Sequence, residues 1–352
     1  MFKKITQSVY FYIALLIVLN IFMAVFCVSP GFKIVGDAGS YHEAIKFIEG
    51  QPISGSIPFH RLLTTPFMLL SSRLFDYFFH NIYGSMAAVN IIFYKLAFEI
   101  YKDKKTAFFS CVLLASNYYL FNIDNAFIAD LGGRFFLILT DLLAVKYFLN
   151  QDKKYYYLAI LSSSVGVLFK EFGALGFLSL ICLILFLPVN WKEKIKIILK
   201  SGALFAIVPL AFHLFFYYKF SFSYFDWYKT SLNFYPPEMH QYGIVLFLKV
   251  MGWLFLAGWP LFLWGLWQEK KFFDGQRFKI LLALFPASVA FFAWPMFMQR
   301  TAFVLVPWLS LVSGFGLSKI KIKFLPFILL IVYMAVNYNL ERLMLLINLP
   351  FK

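Results

Sequence analysis

Ionisable side chains gather in short stretches between long apolar segments, and their types suit acid–base and anion-binding chemistry. Asp37 stands in "VGDAGSYHEA", just before a predicted helix that Ser40 and Glu43 would cap. Because Ser40 already fills the capping role, Asp37 lies outside the cap and is a candidate functional acid. Glu43 and Lys46 are three residues apart, so we expect them to pair on the wet face of that helix.

Two further acids flank the stretch "NIDNAFIADLGGR". We expect Asp130 or Asp124 to be functional, and the residues leave the choice open. Asp130 is preferred because its neighbours Gly132 and Gly133 permit the close approach of a ligand.

Cationic candidates occupy two short junctions between apolar helices. In "LFKEFG", Lys170 and Glu171 either neutralise each other in a tight turn or project into a cavity, with Lys170 facing an anion. In "MFMQRTAF", Arg300 has no acid nearby, so it either binds a phosphate bidentately or extends to lipid head groups. The other candidates for substrate contacts are Arg61, Arg134, Tyr41, His60 and Trp227, although Trp227 also suits the aromatic belt of a membrane boundary.

The elements that must position these residues are apolar helices. The chain has 352 residues, of which 62% are hydrophobic, against about half in a soluble domain. Residues 9–28 carry no charge, are long enough to cross a ~30 Å hydrocarbon layer and lack the cleavage site of a signal peptide. Ten more helices are predicted at about 81–100, 106–122, 134–149, 155–170, 173–188, 197–218, 244–267, 279–297, 301–317 and 324–343. The fold class is therefore an all-α transmembrane bundle of about eleven spans, a single membrane domain over residues 1–352 with no separate soluble domain.

The dense lysine clusters predict the topology. They are "MFKK", "YKDKK", "NQDKK", "NWKEKIK", "QEKKFFDGQRFK" and "SKIKIK". With a cytoplasmic N-terminus, all of them fall on the cytoplasmic side, as the positive-inside rule requires. Residues 59–79 are apolar but interrupted by charges, and a span there would invert every later cluster. We therefore predict an interfacial or re-entrant helical pair within a first outer loop at 29–80, and a second long outer loop at 219–243.

Several function classes are disfavoured by composition and motif. The net charge is +15, but the basic residues form short clusters instead of one patch, which argues against nucleic acid as a partner. Cys27, Cys111 and Cys182 lie in apolar runs without metal or disulfide spacing. Phosphate-binding glycine loops, zinc motifs and nucleophile elbows are not found. No metal ligand is predicted.

Four stretches together resemble a known group of enzymes. In order, "GDAGSYHEAIKFIEGQP", "RLLTTP", "GVLFKEFGALGFLSL" and "RTAFVLVPWLSLVSGFGL" are similar to the GT-C superfamily of integral-membrane glycosyltransferases, nearest to its protein-mannosyltransferase and aminoarabinose-transferase group. The likeness covers roughly residues 1–190 as a catalytic module, with additional helices in 191–352. It implies a polyprenyl-phosphate sugar donor, a lipid, glycan or protein acceptor, contact with membrane lipids, and a site on the extracytoplasmic face of the cytoplasmic membrane.

The resemblance also implies roles for individual residues. Asp37 corresponds to the first-loop acid that activates the acceptor hydroxyl. Asp130 or Asp124 corresponds to an acid of the second outer loop. Lys170 and Glu171 correspond to the Lys-Glu pair of the third outer loop. Direct displacement would invert the anomeric carbon, with Lys170, Arg300, Arg134 or Arg61 supplying charge to the leaving phosphate. Ala38 follows Asp37 where many relatives carry a second acid, which leaves the acceptor and any divalent-cation requirement open.

Two alternatives to this function remain. A cell-envelope polysaccharide polymerase or ligase has a similar number of spans and also uses outer-loop arginines, but "LFKEFG" favours the glycosyltransferase. A lipid-linked glycan transporter or flippase would show charged or broken helices at the bilayer midplane and often an internal repeat. Asp141 and His213 are the main polar residues at that depth, and Asp141 is expected to be the structural partner of Arg134, seven residues earlier.

Overall fold

A computed structural model describes residues 9–26, 38–53, 87–118, 120, 130–234, 244–270, 275–293 and 302–339. Within these ranges every regular element is helical, which confirms the all-α class. The helices are α1 Val9–Phe26, α2 Ala38–Ile48, α3 Ala87–Tyr101, α4 Lys104–Ala115, α5 Asp130–Asn150, α6 Lys153–Phe169, α7 Leu175–Leu185, α8 Trp191–Phe220, α9 Tyr224–Phe234, α10 Ile244–Phe255, α11 Gly258–Glu269, α12 Gln276–Val289, α13 Val306–Ser318 and α14 Leu325–Tyr338. Short 3₁₀ helices lie at Glu171–Ala174, Ala290–Ala293 and Phe303–Leu305.

Polar residues within the lysine clusters start three of these helices. The Asp103 carboxylate accepts a hydrogen bond of 3.0 Å from the backbone N–H of Thr106 at the start of α4. Asp152 caps α6 in the same way at 2.8 Å, and Asn190 caps α8 at 2.9 Å. Such caps satisfy backbone donors that have no partner inside the helix. The acids in "YKDKK" and "NQDKK" therefore serve helix initiation.

The core is one continuous aromatic and aliphatic cluster around α3, α4, α5, α7 and α13. Tyr94, Phe109 and Tyr333 are among its largest fully buried side chains. Some buried polar groups in it are bonded across helices: the side-chain amide of Asn117 donates to the backbone carbonyl of Leu254 at 2.8 Å. A polar group without such a partner would be costly to bury, so these bonds fix how α4 and α10 meet.

Among the described residues, the lysine clusters lie at the end of the bundle opposite to the junction of Lys170 and Glu171 with the start of α5. At the lysine end, the Arg277 guanidinium binds the Glu269 carboxylate at 3.0 Å and stacks 4.2 Å above the ring of Phe315. At the same end, Lys200 donates to the Tyr157 hydroxyl at 3.0 Å. Helix α5 is about 30 Å long, so its first residue lies a membrane thickness away from these contacts. This separation agrees with the predicted topology, while the side that faces the cytoplasm stays a prediction.

Helix length supports a membrane crossing most clearly for α8. Among the described residues, Trp191–Phe220 is the longest helix, with 30 residues, and it is apolar enough to span a bilayer. The predicted continuous helix at 244–267 is wrong, because α10 and α11 are separated by a break and bent by 84°, as in a broken span or a re-entrant loop. Leu256 takes a left-handed φ of 43° at the break, and the Trp259 indole donates to the Met251 carbonyl at 2.8 Å across it. The count of about eleven spans stays a prediction, and the predicted helical pair at 59–79 lies outside the described residues.

Candidate active site

The start of α5 and the junction between α6 and α7 bring four ionisable residues to one end of the bundle. Asp130 is the first residue of α5, and Arg134 lies one turn further on the same helix face. Lys170 follows the last residue of α6 with extended backbone angles (φ −158°, ψ 143°), so α6 ends there. Glu171 then opens the 3₁₀ turn Glu171–Ala174. We call Asp130, Arg134, Lys170 and Glu171 the junction cluster.

An ion pair joins the two halves of the junction cluster. The Lys170 ammonium lies 3.7 Å from Oδ2 of Asp130, and the two side chains are 13% and 2% exposed. Asp130 also occupies the positive end of the α5 dipole, which favours its ionised form. Arg134 is buried at 3% exposure. Buried ionised groups are costly unless they are paired, so each charge of the pair offsets the burial of the other.

Two glycines of α5 make this approach of the helices possible. A Cβ added to Gly133 would lie 2.4 Å from Cβ of Lys170 and 2.6 Å from the Phe172 ring. A Cβ on Gly132 would lie 2.7 Å from the Phe169 ring. The interpretation that these glycines admit a ligand is therefore wrong, because the side chains of the junction already fill the space beside them. Their role is to seat the end of α6 against α5.

The junction is also joined to the segment that follows Arg300. The rings of Phe172 and Phe303 meet edge to face with centroids 5.1 Å apart. Phe303 is fully buried and begins the 3₁₀ turn that leads into α13. Three parts of the chain that are far apart in sequence therefore meet at one end of the bundle.

Helix α2 begins at Ala38, so the predicted cap at Ser40 is wrong, because Ser40 lies inside the first turn. The helix packs on the end of α8. The rings of Phe47 and Phe220 are 5.6 Å apart. The predicted pair of Glu43 and Lys46 is confirmed at 2.7 Å. Since α8 runs from the lysine end to its opposite, α2 lies at the same end of the bundle as the junction cluster.

Most of the other predicted site residues lie outside the part of the chain that the structure describes. Asp37, His60, Arg61, Asp124 and Arg300 lie outside the described residues, so their predicted roles stay predictions. Tyr41 belongs to α2 and Trp227 is half-buried in α9. Helix α9 packs on α8 through the ring contact of Phe225 with His213 at 5.4 Å.

The predicted pairing of Asp141 with Arg134 is wrong. In the described part of the chain, Asp141 makes no ion pair, and its Oδ1 has no hydrogen-bond partner. Its carboxyl group lines a small cavity of about 10 Å³ together with Ser288 and Trp308. That volume is about enough for one water molecule.

Sequence reasoning did not identify the buried serines of α6, which form hydrogen bonds to the neighbouring elements. Three consecutive serines, Ser162 to Ser164, lie in the middle of the apolar helix α6. Hydroxyl groups in such a helix are expected to bond across helices, so the run "SSS" was the available signal. Among the described ranges, no group of three His, Cys, Asp or Glu side chains is arranged to hold a metal ion.

The described part of the chain is all-helical, and the chain has the composition of a membrane protein. The paired side chains of Asp130 and Lys170 lie at one end of the bundle. A family model described as dolichyl-phosphate-mannose-protein mannosyltransferase matches residues 59–216. The matched range is less than half of the chain, and it contains α5, α6, α7 and the whole junction cluster. The similarity suggests a membrane glycosyltransferase that uses a lipid-linked sugar. A search of curated proteins found no match.

Proposed function

We propose that the chain transfers a sugar from a polyprenyl-phosphate donor to an acceptor hydroxyl on the extracytoplasmic face of the cytoplasmic membrane. The observation that carries this proposal is the Asp130–Lys170 pair, at 3.7 Å, within the range that matches the mannosyltransferase family. The acceptor is a lipid, glycan or protein hydroxyl.

Lys170 stabilises the leaving phosphate. Negative charge builds on the phosphate as its bond to the sugar breaks, and a fixed cation lowers the energy of that state most in a water-poor site. The Asp130 carboxylate holds the Lys170 side chain in place before the donor arrives. Arg134, and Arg300 just before the segment of Phe303, add positive charge, and Glu171 balances it.

The transfer itself is a direct displacement. The acceptor oxygen attacks the anomeric carbon, the bond from that carbon to the phosphate oxygen breaks, and the carbon inverts. The hydroxyl proton passes to the Asp37 carboxylate, and polyprenyl phosphate leaves. The contact of α2 with the end of α8 supports this role, since it brings the residue after Asp37 to the end of the bundle that carries Lys170. Tyr41, His60, Arg61, Asp124 and Trp227 are proposed to contact the sugar.

A donor panel tests the proposal. Purified protein in lipid nanodiscs is incubated with labelled polyprenyl-phosphate sugars and, separately, with nucleotide sugars, and sugar transfer or release is measured. We expect turnover of a lipid-linked donor alone, and a loss of about 100-fold or more in Asp37→Asn, the size expected for removal of a general base.

Glu43→Gln is the matched control for Asp37→Asn, because Glu43 lies in the same segment and pairs with Lys46. It should retain wild-type activity. Full activity of a well-folded Asp37→Asn protein would eliminate Asp37 as the base. Turnover of a nucleotide sugar in place of a lipid-linked one would eliminate the donor class, and processive extension of an oligosaccharide would identify a polymerase.

A further inference from the structure

Three consecutive serines of α6 bind three different parts of the protein. The Thr140 hydroxyl of α5 donates to Ser162 at 2.9 Å. The Ser163 hydroxyl shares its one hydrogen between the backbone carbonyls of Gly173 and Ala174, at 3.3 and 3.4 Å. Ser164 donates to the Phe205 carbonyl of α8 at 2.6 Å. All three serines are buried.

The bonds of Ser163 and Ser164 leave helix α6 for neighbouring elements. A helical serine commonly returns its hydroxyl to a carbonyl one turn earlier on its own helix. Here the acceptors of Ser163 and Ser164 belong to other elements, so each hydroxyl links α6 to a separate neighbour. Of the three, Ser163 reaches the 3₁₀ turn that begins with Glu171 of the junction cluster.

The acceptors of Ser163 are the last two carbonyls of the turn that carries Glu171. That turn is tied to Lys170, because the Gly173 N–H donates to the Lys170 carbonyl at 2.8 Å. The turn also lies directly on α6: a Cβ on Gly173 would come within 2.4 Å of the Gly166 backbone. On the opposite side, Gly133 of α5 contacts Lys170 and Phe172. The junction is therefore held between two helices, and Ser163 supplies a directional contact on the α6 side.

We propose that Ser163 is a positioning residue that fixes Lys170 opposite Asp130, and thereby sets the affinity for the phosphate of the lipid donor. The inference rests on the proposed function, in which Lys170 binds that phosphate. The hydroxyl acts through the turn Glu171–Ala174 and does not touch the donor. Ser164 provides an internal comparison, because it is adjacent and buried, and its partner lies on α8 instead of the junction.

The experiment measures binding of undecaprenyl phosphate to the full chain in nanodiscs by native mass spectrometry, alongside the melting temperature. Four proteins are compared: wild type, Ser163→Ala, Ser164→Ala and Lys170→Gln. We expect Ser163→Ala to weaken binding about tenfold, since a small misplacement of a binding group is costly. Ser164→Ala should bind undecaprenyl phosphate as wild type does. Because Ser164→Ala loses the shorter hydrogen bond, its melting temperature should be no higher than that of Ser163→Ala.

The outcomes separate the inference from the function on which it rests. If Ser163→Ala binds normally while Lys170→Gln does not, the positioning role is wrong and the phosphate site stands. Equal binding by wild type and Lys170→Gln contradicts the proposed function itself. Equal losses in Ser163→Ala and Ser164→Ala would show a general packing effect and would overturn the inference. If Ser163→Ala is not recovered folded, Ser163→Cys replaces it, because a thiol keeps the volume but donates weakly, and normal binding by that variant would also overturn the inference.

Discussion

At the scale of single residues, Lys170 combines two properties that are rarely joined in an apolar bundle. Its ammonium group has a carboxylate partner, Asp130, at 3.7 Å, and 13% of its side chain remains exposed. The partner offsets the cost of burying the charge, and the residual exposure places part of the side chain at the end of the bundle. A lysine with both properties is suited to binding a phosphate at the end of the bundle, so that the phosphate does not have to enter the core.

Replacement of Lys170 by glutamine should abolish most sugar transfer. Without the ammonium group, the charge on the leaving phosphate is less stabilised, and we expect a loss of about 100-fold or more in kcat/KM, as for removal of one preorganised donor. The rate of transfer from the preferred polyprenyl-phosphate sugar is the measurement. Lys146→Gln is the control, since Lys146 is also part-buried and pairs with Glu99 at 3.6 Å, but at the lysine end. Equal activity in the two variants would show that Lys170 has no special role.

Asp130→Asn should lower both stability and donor affinity. Removing one partner of a buried ion pair leaves the other charge uncompensated, and here the cost is on the order of 2 kcal/mol because Lys170 keeps some access to water. Thermal unfolding in nanodiscs measures the loss of stability. A double-mutant cycle with Lys170→Gln measures the coupling. Additive losses in that cycle would contradict a direct interaction between the two side chains.

At the scale of elements, the decisive feature is the close seating of α6 on α5 through glycine. The predicted helix at 134–149 begins four residues late, because Gly132 and Gly133 favour a loop in sequence reasoning. In the structure both are helical, and their missing side chains make room for Phe169 and Lys170. A sequence shows that a glycine is present, but the neighbour that requires it is set by tertiary packing.

Gly133→Ala should therefore separate the junction from α5. The added methyl group would lie 2.4 Å from Cβ of Lys170, which cannot move as a flexible chain end would, and such overpacking costs about 1–3 kcal/mol. Both the melting temperature and donor binding should fall. Gly202→Ala in α8 is the control, because no atom lies within 4 Å of its added Cβ, and the change should be neutral or stabilising by about 0.5–1 kcal/mol. A Gly133→Ala protein that is as stable as Gly202→Ala would refute the tight contact.

The break between α10 and α11 marks a limit of hydropathy patterns. The sequence of 244–267 is apolar apart from Lys249, and hydropathy alone therefore predicts one continuous helix. Gly258 and Pro260, close to the left-handed residue Leu256, were the available signal for a break. By contrast, the pairing of Glu43 with Lys46 could be predicted, because it depends only on helical spacing. The contact of Asp130 with Lys170 could not, since forty residues separate them and the fold alone brings them together.

At the scale of the whole molecule, the two ends of the bundle have different chemistry. Lysines and helix caps occupy one end, and the junction cluster, Phe303 and α2 occupy the other. The sequence predicted this division through the positive-inside rule, because lysine density depends only on which loops share a side. The junction geometry needed the packed helices, so the sequence identified the candidate residues and left their arrangement undetermined.

Reporter fusions test the orientation of the two ends. A reporter fused after Gln151 should show a cytoplasmic location, and one fused after Ser221 should show an extracytoplasmic one, because α8 carries the chain from the lysine end to the other. Fluorescent protein and alkaline phosphatase fusions at the same positions give complementary signals. The reverse pattern would place the junction cluster in the cytoplasm and would overturn the proposed site orientation.

The most direct test is to find where the phosphate of a polyprenyl donor binds. An undecaprenyl phosphate with a photoreactive diazirine in its first isoprene unit is cross-linked to the protein in nanodiscs, and the labelled peptides are identified by mass spectrometry. The predicted labels fall within residues 130–134, 169–174 and 302–306, and they are lost in Lys170→Gln. Labelling at the lysine end, within residues 191–200 or 319–323, that persists in Lys170→Gln would contradict a donor site at the junction cluster.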